Sequence, residues 1–294
     1  MSVTSALYTG VSGLLQNGEA MNVIGNNISN VNTVGYKGAR TLFSDMLSQN
    51  VGNNSQIGKG VQMQAVQNVF SQGSTQTSEN VTDLAIQGNS FFALKPSTAA
   101  APVAAQSSAF LSRAGAFHTD SNLYLVNPDG YQVLDTAGNP IKFLNSGAAP
   151  ATDFGKVLSI DNTGLITYLA TDGITQNYYS TSGVAGVATT PAAAAAAQKV
   201  AVVTAPDPTA LKKVGGSLYQ ATTTSGVSAA GFSLAANKAN GVSEQILSNT
   251  LEQSTVDLAN EFVKMITTQR AYSANSKTIT TSDQMTQEVL SLIR

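Results

Sequence analysis

From Leu247 to Ile293 the larger apolar residues fall at Leu247, Leu251, Leu258, Phe262, Met265, Ile266, Tyr272, Ile279, Val289 and Leu290. Most are three, four or seven positions apart, the spacing of one face of a helix. No Pro or Gly interrupts the stretch. Helical throughout, it would run about 70 Å at 1.5 Å per residue, too long for the core helix of a small domain, so it needs a partner. Ser248, Asn249, Glu252, Gln253, Asp257, Asn260, Glu261, Lys264, Thr268 and Arg270 occupy the other face, which makes the segment amphipathic and not a membrane span. Ser254, Gln269, Ser273 and Ser276 fall on or near the apolar stripe. Polar residues on a seam weaken it and can set its register.

The start of the chain offers a partner. Leu7, Val11, Leu14, Met21, Ile24, Ile28 and Val31 repeat at similar spacings, with Gly10, Gly13, Gly18 and Gly25 among them. Each interior Gly costs a helix roughly 0.8–1 kcal/mol relative to Ala, and burial of large side chains at roughly 1.5–3 kcal/mol each offsets that cost only if another helix covers them. Two readings are open at this point: a pair of core helices in one globular domain, or chain ends that pack with neighbouring copies.

Between the two ends the period changes. Asn32 to Gly38 breaks the helical pattern with turn formers, Thr41 to Leu47 reads as one further helical turn, and Asn50 to Gly60 reads as a loop. Val61, Met63 and Ala65 alternate with glutamines as a half-buried strand. Leu84 to Ile86, Phe91 to Leu94, Tyr124 to Asn127, Tyr131 to Leu134, Val157 to Ile160, Leu165 to Leu169, Val200 to Val203 and Gly215 to Ala221 read as short strands separated by Gly, Asp, Asn and Pro turns. Strands this short at this spacing predict antiparallel sheet or a small barrel. Thr181 to Gln198, with its alanine run, reads as a surface loop, and Ser225 to Val242 as a flexible link. The expected fold is α+β: a discontinuous, coiled-coil-like helical assembly domain over residues 1–70 and 242–294, and a β-rich domain of antiparallel strands over 71–241.

Composition sharpens this picture. Of 294 residues 42% are hydrophobic, enough for a core, but only 11% are charged, against the usual quarter. The neutral polar surface that results repels copies of itself weakly, which suits assembly. A formal charge of −2 gives no global attraction to nucleic acid or anionic lipid. There is no Cys, which excludes disulfides, thiolate metal sites and cysteine nucleophiles. His118 is the one histidine, so neither a histidine metal site nor a triad can be built around it. Asp129, Asp161 and Asp172 sit in turns, where Asp bonds its own backbone, and none has EF-hand spacing. Lys37 and Arg40 are too few for a nucleic-acid patch. No catalytic, cofactor-binding or metal site is expected. Met1 to Leu15 lacks the pattern of a secretory signal, so the chain is expected either to stay in the cytosol or to leave by a route that removes no signal peptide. The rival reading is an enzyme or carbohydrate-binding module built on the β-rich centre.

Four blocks carry a family resemblance. Asn22-Val23-Ile24-Gly25-Asn26-Asn27-Ile28-Ser29-Asn30-Val31-Asn32-Thr33-Val34-Gly35-Tyr36-Lys37 closely resembles the N-terminal signature of the bacterial flagellar rod and hook proteins. Phe70 to Gly73 with Asp83 to Phe92, Leu111 to Phe117 with Tyr124 to Asn127, and Leu251 to Leu258 with Gln269 to Asn275 are similar to the same family, in family order. Val34 and the run Gly58 to Gln62 look most like the hook, whereas Thr255 stands where the family usually has Asn.

The resemblance implies a subunit of the flagellar hook, a flexible tubular joint that passes torque from motor and rod to filament. The distal rod of the basal body is the alternative. It also implies homopolymerisation, contact with rod and hook–filament junction proteins and the hook cap, and export by the flagellar type III apparatus without a cleaved signal. No membrane insertion and no nucleic-acid partner are implied. The side chains expected to pack between subunits are Leu7, Val11, Leu14, Met21, Ile24 and Ile28 with Leu251, Leu258, Phe262, Met265 and Ile266. The terminal segments are expected to be largely disordered in the monomer and helical in the polymer, because only neighbours can cover their stripes.

Overall fold

The computed structural model describes residues 3–47, 49–52, 55–144, 151–180 and 197–292. They form two compact units, one made of Met1–Asn32, Lys37–Val69 and Val256–Arg294, the other of Thr33–Tyr36 and Phe70–Thr255.

The first unit is built on two antiparallel helices, α1 (Val3–Ser29) and α2 (Leu258–Leu292). α2 begins later than the apolar spacing from Leu247 predicts. The Asp257 carboxylate accepts from the Ala259 N–H at 2.9 Å and caps the helix there, while the preceding residues satisfy their backbone as strands. Leu251, expected on the helix, is therefore a strand residue of the second unit.

β1 (Ala39–Asp45) and β4 (Val61–Asn68) pair antiparallel from Ala39↔Asn68 to Asp45↔Val61, with a bulge between Leu42 and Phe43. The helical turn expected over Thr41 to Leu47 is thus a strand for most of its length. A single helical turn leaves nearly all its backbone groups unpaired, and the ladder to β4 pairs them. Between these strands β2 (Gln49–Gly52) pairs with β3 (Ser55–Ile57), so the expected loop from Asn50 to Gly60 contains a short hairpin. Its flanking strands already run antiparallel, which brings the intervening chain back on itself.

The second unit holds fifteen strands among its described residues: β5 (Thr75–Thr77), β6 (Leu84–Gln87), β7 (Ser90–Lys95), β8 (Phe110–Ser112), β9 (His118–Thr119), β10 (Leu125–Val126), β11 (Gln132–Val133), β12 (Phe154–Ile160), β13 (Ile166–Ala170), β14 (Gln176–Tyr178), β15 (Val202–Thr204), β16 (Lys212–Gly215), β17 (Leu218–Gln220), β18 (Gln245–Ser248) and β19 (Thr250–Glu252). The main sheet runs β16-β17-β8-β7-β11-β10-β9, with β15 also on β7. All pairs are antiparallel. Every residue of β7 is buried, because its two faces serve two cores. Phe92 and Leu94 join Leu84, Ile86, Phe117 and Leu125, while Phe91 and Ala93 join Leu111, Leu134, Val203 and Tyr219.

One five-residue loop recurs at 120–124, 127–131, 135–139 and 161–165. The N–H of its first residue donates to the carbonyl of the fifth, at 2.7–3.0 Å. The fifth residue's N–H donates to the first residue's side-chain oxygen on Asp120, Asn127, Asp135 and Asp161. The fourth residue has a left-handed φ of 63° at Leu123, 82° at Gly130, 81° at Gly138 and 83° at Gly164.

Residues 225–242 are not a link. Ser225, Asn237 and Ala239 are buried, and Asn237 exchanges backbone and side-chain bonds with Val202. Small residues there permit close packing, where composition alone suggested mobility. β18 and β19 pair with β6 and β5, so residues 242–255 lie with the β-rich unit and not, as the boundary at 242 anticipates, with the helices. Most of the alanine-rich stretch, residues 181–196, lies outside the described residues.

Candidate assembly site

The line along which α1 meets α2 is not the apolar stripe. Gly10, Gly13, Ala20, Ile24 and Asn27 are buried and Asn17 half-buried, at alternating spacings of three and four. Opposite them, Glu261 and Ser282 are buried and Met265, Thr268, Asn275, Ile279 and Thr286 half-buried, again at heptad spacing. A Cβ at Gly13 would stand 2.7 Å from Asn275 Nδ2, and one at Gly10 3.0 Å from Ile279 Cγ1. The absence of side chains at these two glycines is what lets the helices approach.

At the other end of the seam Asn27 joins three elements. Its Nδ2 donates to the Ala39 carbonyl at 2.7 Å and to Glu261 Oε2 at 3.2 Å, and its Oδ1 accepts from the Ala39 N–H. Glu261 also takes Lys264 Nζ at 2.6 Å. Beside this node a cleft of about 250 Å³ opens between α1, β1 and α2, lined by Ala20, Ile24, Arg40, Phe43, Glu261 and Lys264 among others.

The large apolar residues lie next to the seam. Leu7, Val11, Leu14, Met21 and Ile28 form a heptad set displaced by one residue, or about 100° round the helix, from Gly10, Gly13, Ala20 and Asn27. Val11 is exposed, and Leu7, Leu14, Met21 and Ile28 are half-buried; Ile24 alone of the named residues on α1 lies in the seam and is buried. On α2, Met265 is half-buried in the seam, whereas Leu258 is 40%, Phe262 50% and Ile266 51% exposed. α2 also outruns α1, and Met285, Val289, Leu290 and Leu292 are exposed at its end. These large apolar side chains are left uncovered within the described residues.

The second unit contains a buried polar node that joins all four family-like blocks. Arg113 Nη1 lies 3.3 Å from Glu252 Oε2 and donates to the Ile86 carbonyl at 3.2 Å; Nη2 donates to the Gly88 carbonyl at 2.5 Å. The guanidinium sits 5.1 Å from the centroid of the Phe91 ring, which packs edge-on against Phe70. Glu252 Oε1 accepts from the Gly73 N–H at 2.7 Å, and its carbonyl accepts from the Gly35 N–H at 2.8 Å. Burial pushes the Arg113 guanidinium down from its ordinary pKa, and Glu252 opposes the shift. Sequence reasoning passed over this pair. The available signal was charge: in a charge-poor chain, Arg113 and Glu252 each stand inside an otherwise uncharged run.

His118 is exposed on β9, and no group of three or more His, Cys, Asp or Glu is placed to hold a metal ion among the described residues. Asp161 and Asp172 spend their carboxylates on turn N–H groups, as the turn reading expects. No helix among the described residues is long and apolar enough to cross a membrane.

Two family models match the chain, one described as flagella basal body rod protein over residues 7–37, the other as flagellar basal body rod FlgEFG protein C-terminal over 247–292. Over nearly its whole length the chain is similar to the flagellar basal-body rod protein FlgG of Bacillus subtilis, with 33% identity over 98% of this chain and 99% of the relative. It is 31% identical to the protein of the same name from Agrobacterium fabrum, over 95% and 96%. Its similarity to the flagellar hook protein FlgE of Borreliella burgdorferi is 36%, over 46% of this chain and 33% of that one.

Proposed function

The chain belongs to the flagellar basal-body rod and hook family, and from that premise we propose that it is the distal rod subunit of the basal body. It is a structural protein of the flagellar axis. What carries the rod reading is coverage: the rod relatives match from end to end, whereas the hook relative matches over a third of its length. This favours the alternative over the hook assignment that the local motifs first suggest. The hook remains the second reading, supported by the higher identity within the shared segment.

In this reading the subunit polymerises with copies of itself. The exposed stripe of Leu258, Phe262 and Ile266, with Leu7, Val11, Leu14, Met21 and Ile28, is the surface that neighbours cover. Ile24 and Met265 instead hold the two helices of one subunit together. Leu251 contributes through β19 and not through the helix. A head-to-tail contact whose rotation does not close builds an open helical polymer, the form this reading requires. The chain has no catalytic activity in this reading. Its partners are further copies, adjoining rod and hook components, the cap, and the type III export apparatus.

Immunogold electron microscopy of isolated flagella and basal bodies tests the assignment. Label on the straight rod is the expected result. Label along the curved segment outside the cell would move the chain to the hook, and absence of label from every axial part would overturn the axial reading.

A further inference from the structure

The chain passes between its two units at four places, 32/33, 36/37, 69/70 and 255/256. Within the β-rich unit the residues at these passages converge on the Arg113–Glu252 pair. Gly35 is bonded to the Glu252 carbonyl, and the Thr255 N–H donates to the Tyr36 carbonyl at 3.1 Å. The Tyr36 N–H returns to the Thr33 carbonyl at 3.2 Å, and Lys213 Nζ stands 4.0 Å from the Tyr36 ring centroid. Phe70 lies against Phe91 beneath the guanidinium, and the Gln253 N–H donates to the Ser74 carbonyl at 2.8 Å. Gly35 has φ +66°, and a Cβ there would fall 2.4 Å from the Ala114 nitrogen, so its segment lies directly on the backbone beside Arg113.

We propose that Arg113 and Glu252 are positioning residues for assembly, a buried clamp: their side chains hold β19 against the β6–β7 turn and Gly73, and the main chain of β19 and the residues after it in turn holds the Gly35–Tyr36 and Thr255 passages. The pair's side chains are 5% and 0% exposed. Charges so deep are a poor device for stability alone, since well-packed apolar residues often replace a buried ion pair without loss. What the pair supplies is geometry. One guanidinium reaches the Ile86 and Gly88 carbonyls of the β6–β7 turn, while one carboxylate reaches Gly73 before β5, and the salt bridge ties the two sets together. In an axial polymer, which is the reading this inference rests on for its mechanical role, load carried along the chain from one unit to the other passes through those four points. A fixed set of exits stiffens the subunit, and a loosened set makes it compliant.

Hydrogen exchange of the purified full chain tests the clamp without reference to polymerisation. In Glu252→Gln the amides of Gly35, Gly73, Gln253 and Thr255 are expected to exchange about tenfold faster or more, with Ala93 and Leu111 unchanged. Unchanged exchange at the four amides, or a uniform rise through β7 and β8, would overturn the proposal. If Glu252→Gln does not fold, the double variant Arg113→Met/Glu252→Gln removes both charges and is expected to fold with the same local rise. Full protection in the double variant would show that packing and not the charge pair positions the passages. Axial polymers from Glu252→Gln cells should bend more or fail to form, and wild-type shape and abundance would refute the mechanical role. Loss of the axial reading itself would show in the labelling experiment and leave the exchange result standing.

Discussion

Replacing Phe262 by Gln separates assembly from the pairing of the two helices in one subunit. Phe262 is 50% exposed and follows Glu261, a residue of the seam, so its ring points beside α1 and not into it. Full burial of a Phe side chain is worth about 1.5–3 kcal/mol, so covering the exposed half in the polymer contributes about 0.8–1.5 kcal/mol. A Gln amide buried there without a partner costs about 1–3 kcal/mol more. The sum, about 2–4.5 kcal/mol per subunit, corresponds to a rise of roughly 30- to 2,000-fold in the critical concentration for polymerisation. Sedimentation of purified protein over a concentration series measures that threshold, and circular dichroism of the supernatant checks that the β-rich unit stays folded. Polymerisation at the wild-type threshold would refute the assignment of this stripe to the interface between copies.

Leu258→Asp should abolish polymerisation yet keep the β-rich unit folded, because an acidic residue in the first turn suits the helix and only the interface meets a buried charge; polymers of normal yield would contradict this. Gly13→Leu should lower the thermal midpoint of 222 nm ellipticity in the assembled protein, by about 1–3 kcal/mol of overpacking against Asn275, and an unchanged midpoint would rule out the close approach. In urea denaturation Gly130→Ala should cost about 1–2 kcal/mol, for its left-handed φ alone. Gly164→Ala should cost more, because its Cβ would also meet Ile246 Cδ1 at 2.9 Å; equal losses would show that packing there does not matter. The Asp172 carboxyl accepts bonds from the Thr175 hydroxyl and the Ile174 and Thr175 N–H groups, which hold it below the usual carboxylate range. Its folded pKa lies under the unfolded value of about 3.9, so its contribution is present above that pH and is lost as pH falls through the folded value. An NMR titration of the β13–β14 turn should show that low midpoint, and Asp172→Asn should remove it.

The sequence by itself determined the kinds of element present, because period and turn chemistry are local. Spacings of three and four marked both helices, alternation and Gly or Asp turns marked the short strands, and the four blocks identified the family. The recurring five-residue loops were legible as turns from Asp129-Gly130 and Asp161 to Gly164, since Asp, Asn and Gly favour turns, although in the first it is Asn127 and not Asp129 that accepts the Tyr131 N–H. Tertiary structure decided what each element faces. Large side chains advertise a buried stripe, but close approach of two helices favours residues that occupy little space, so Gly10, Gly13 and Asn27 took the seam and left Leu7, Val11 and Leu14 beside it. Thr41 to Asp45 became a strand because Val61 to Asn68 was there to pair with it, and Leu247–Ser248 and Thr250–Glu252 because β6 and β5 were there to pair with them. Arg113 and Glu252 are 139 residues apart, and no local pattern links them. Only the fold brings them within bonding distance, because a buried charge requires its partner in space and carries no information about where along the chain that partner lies.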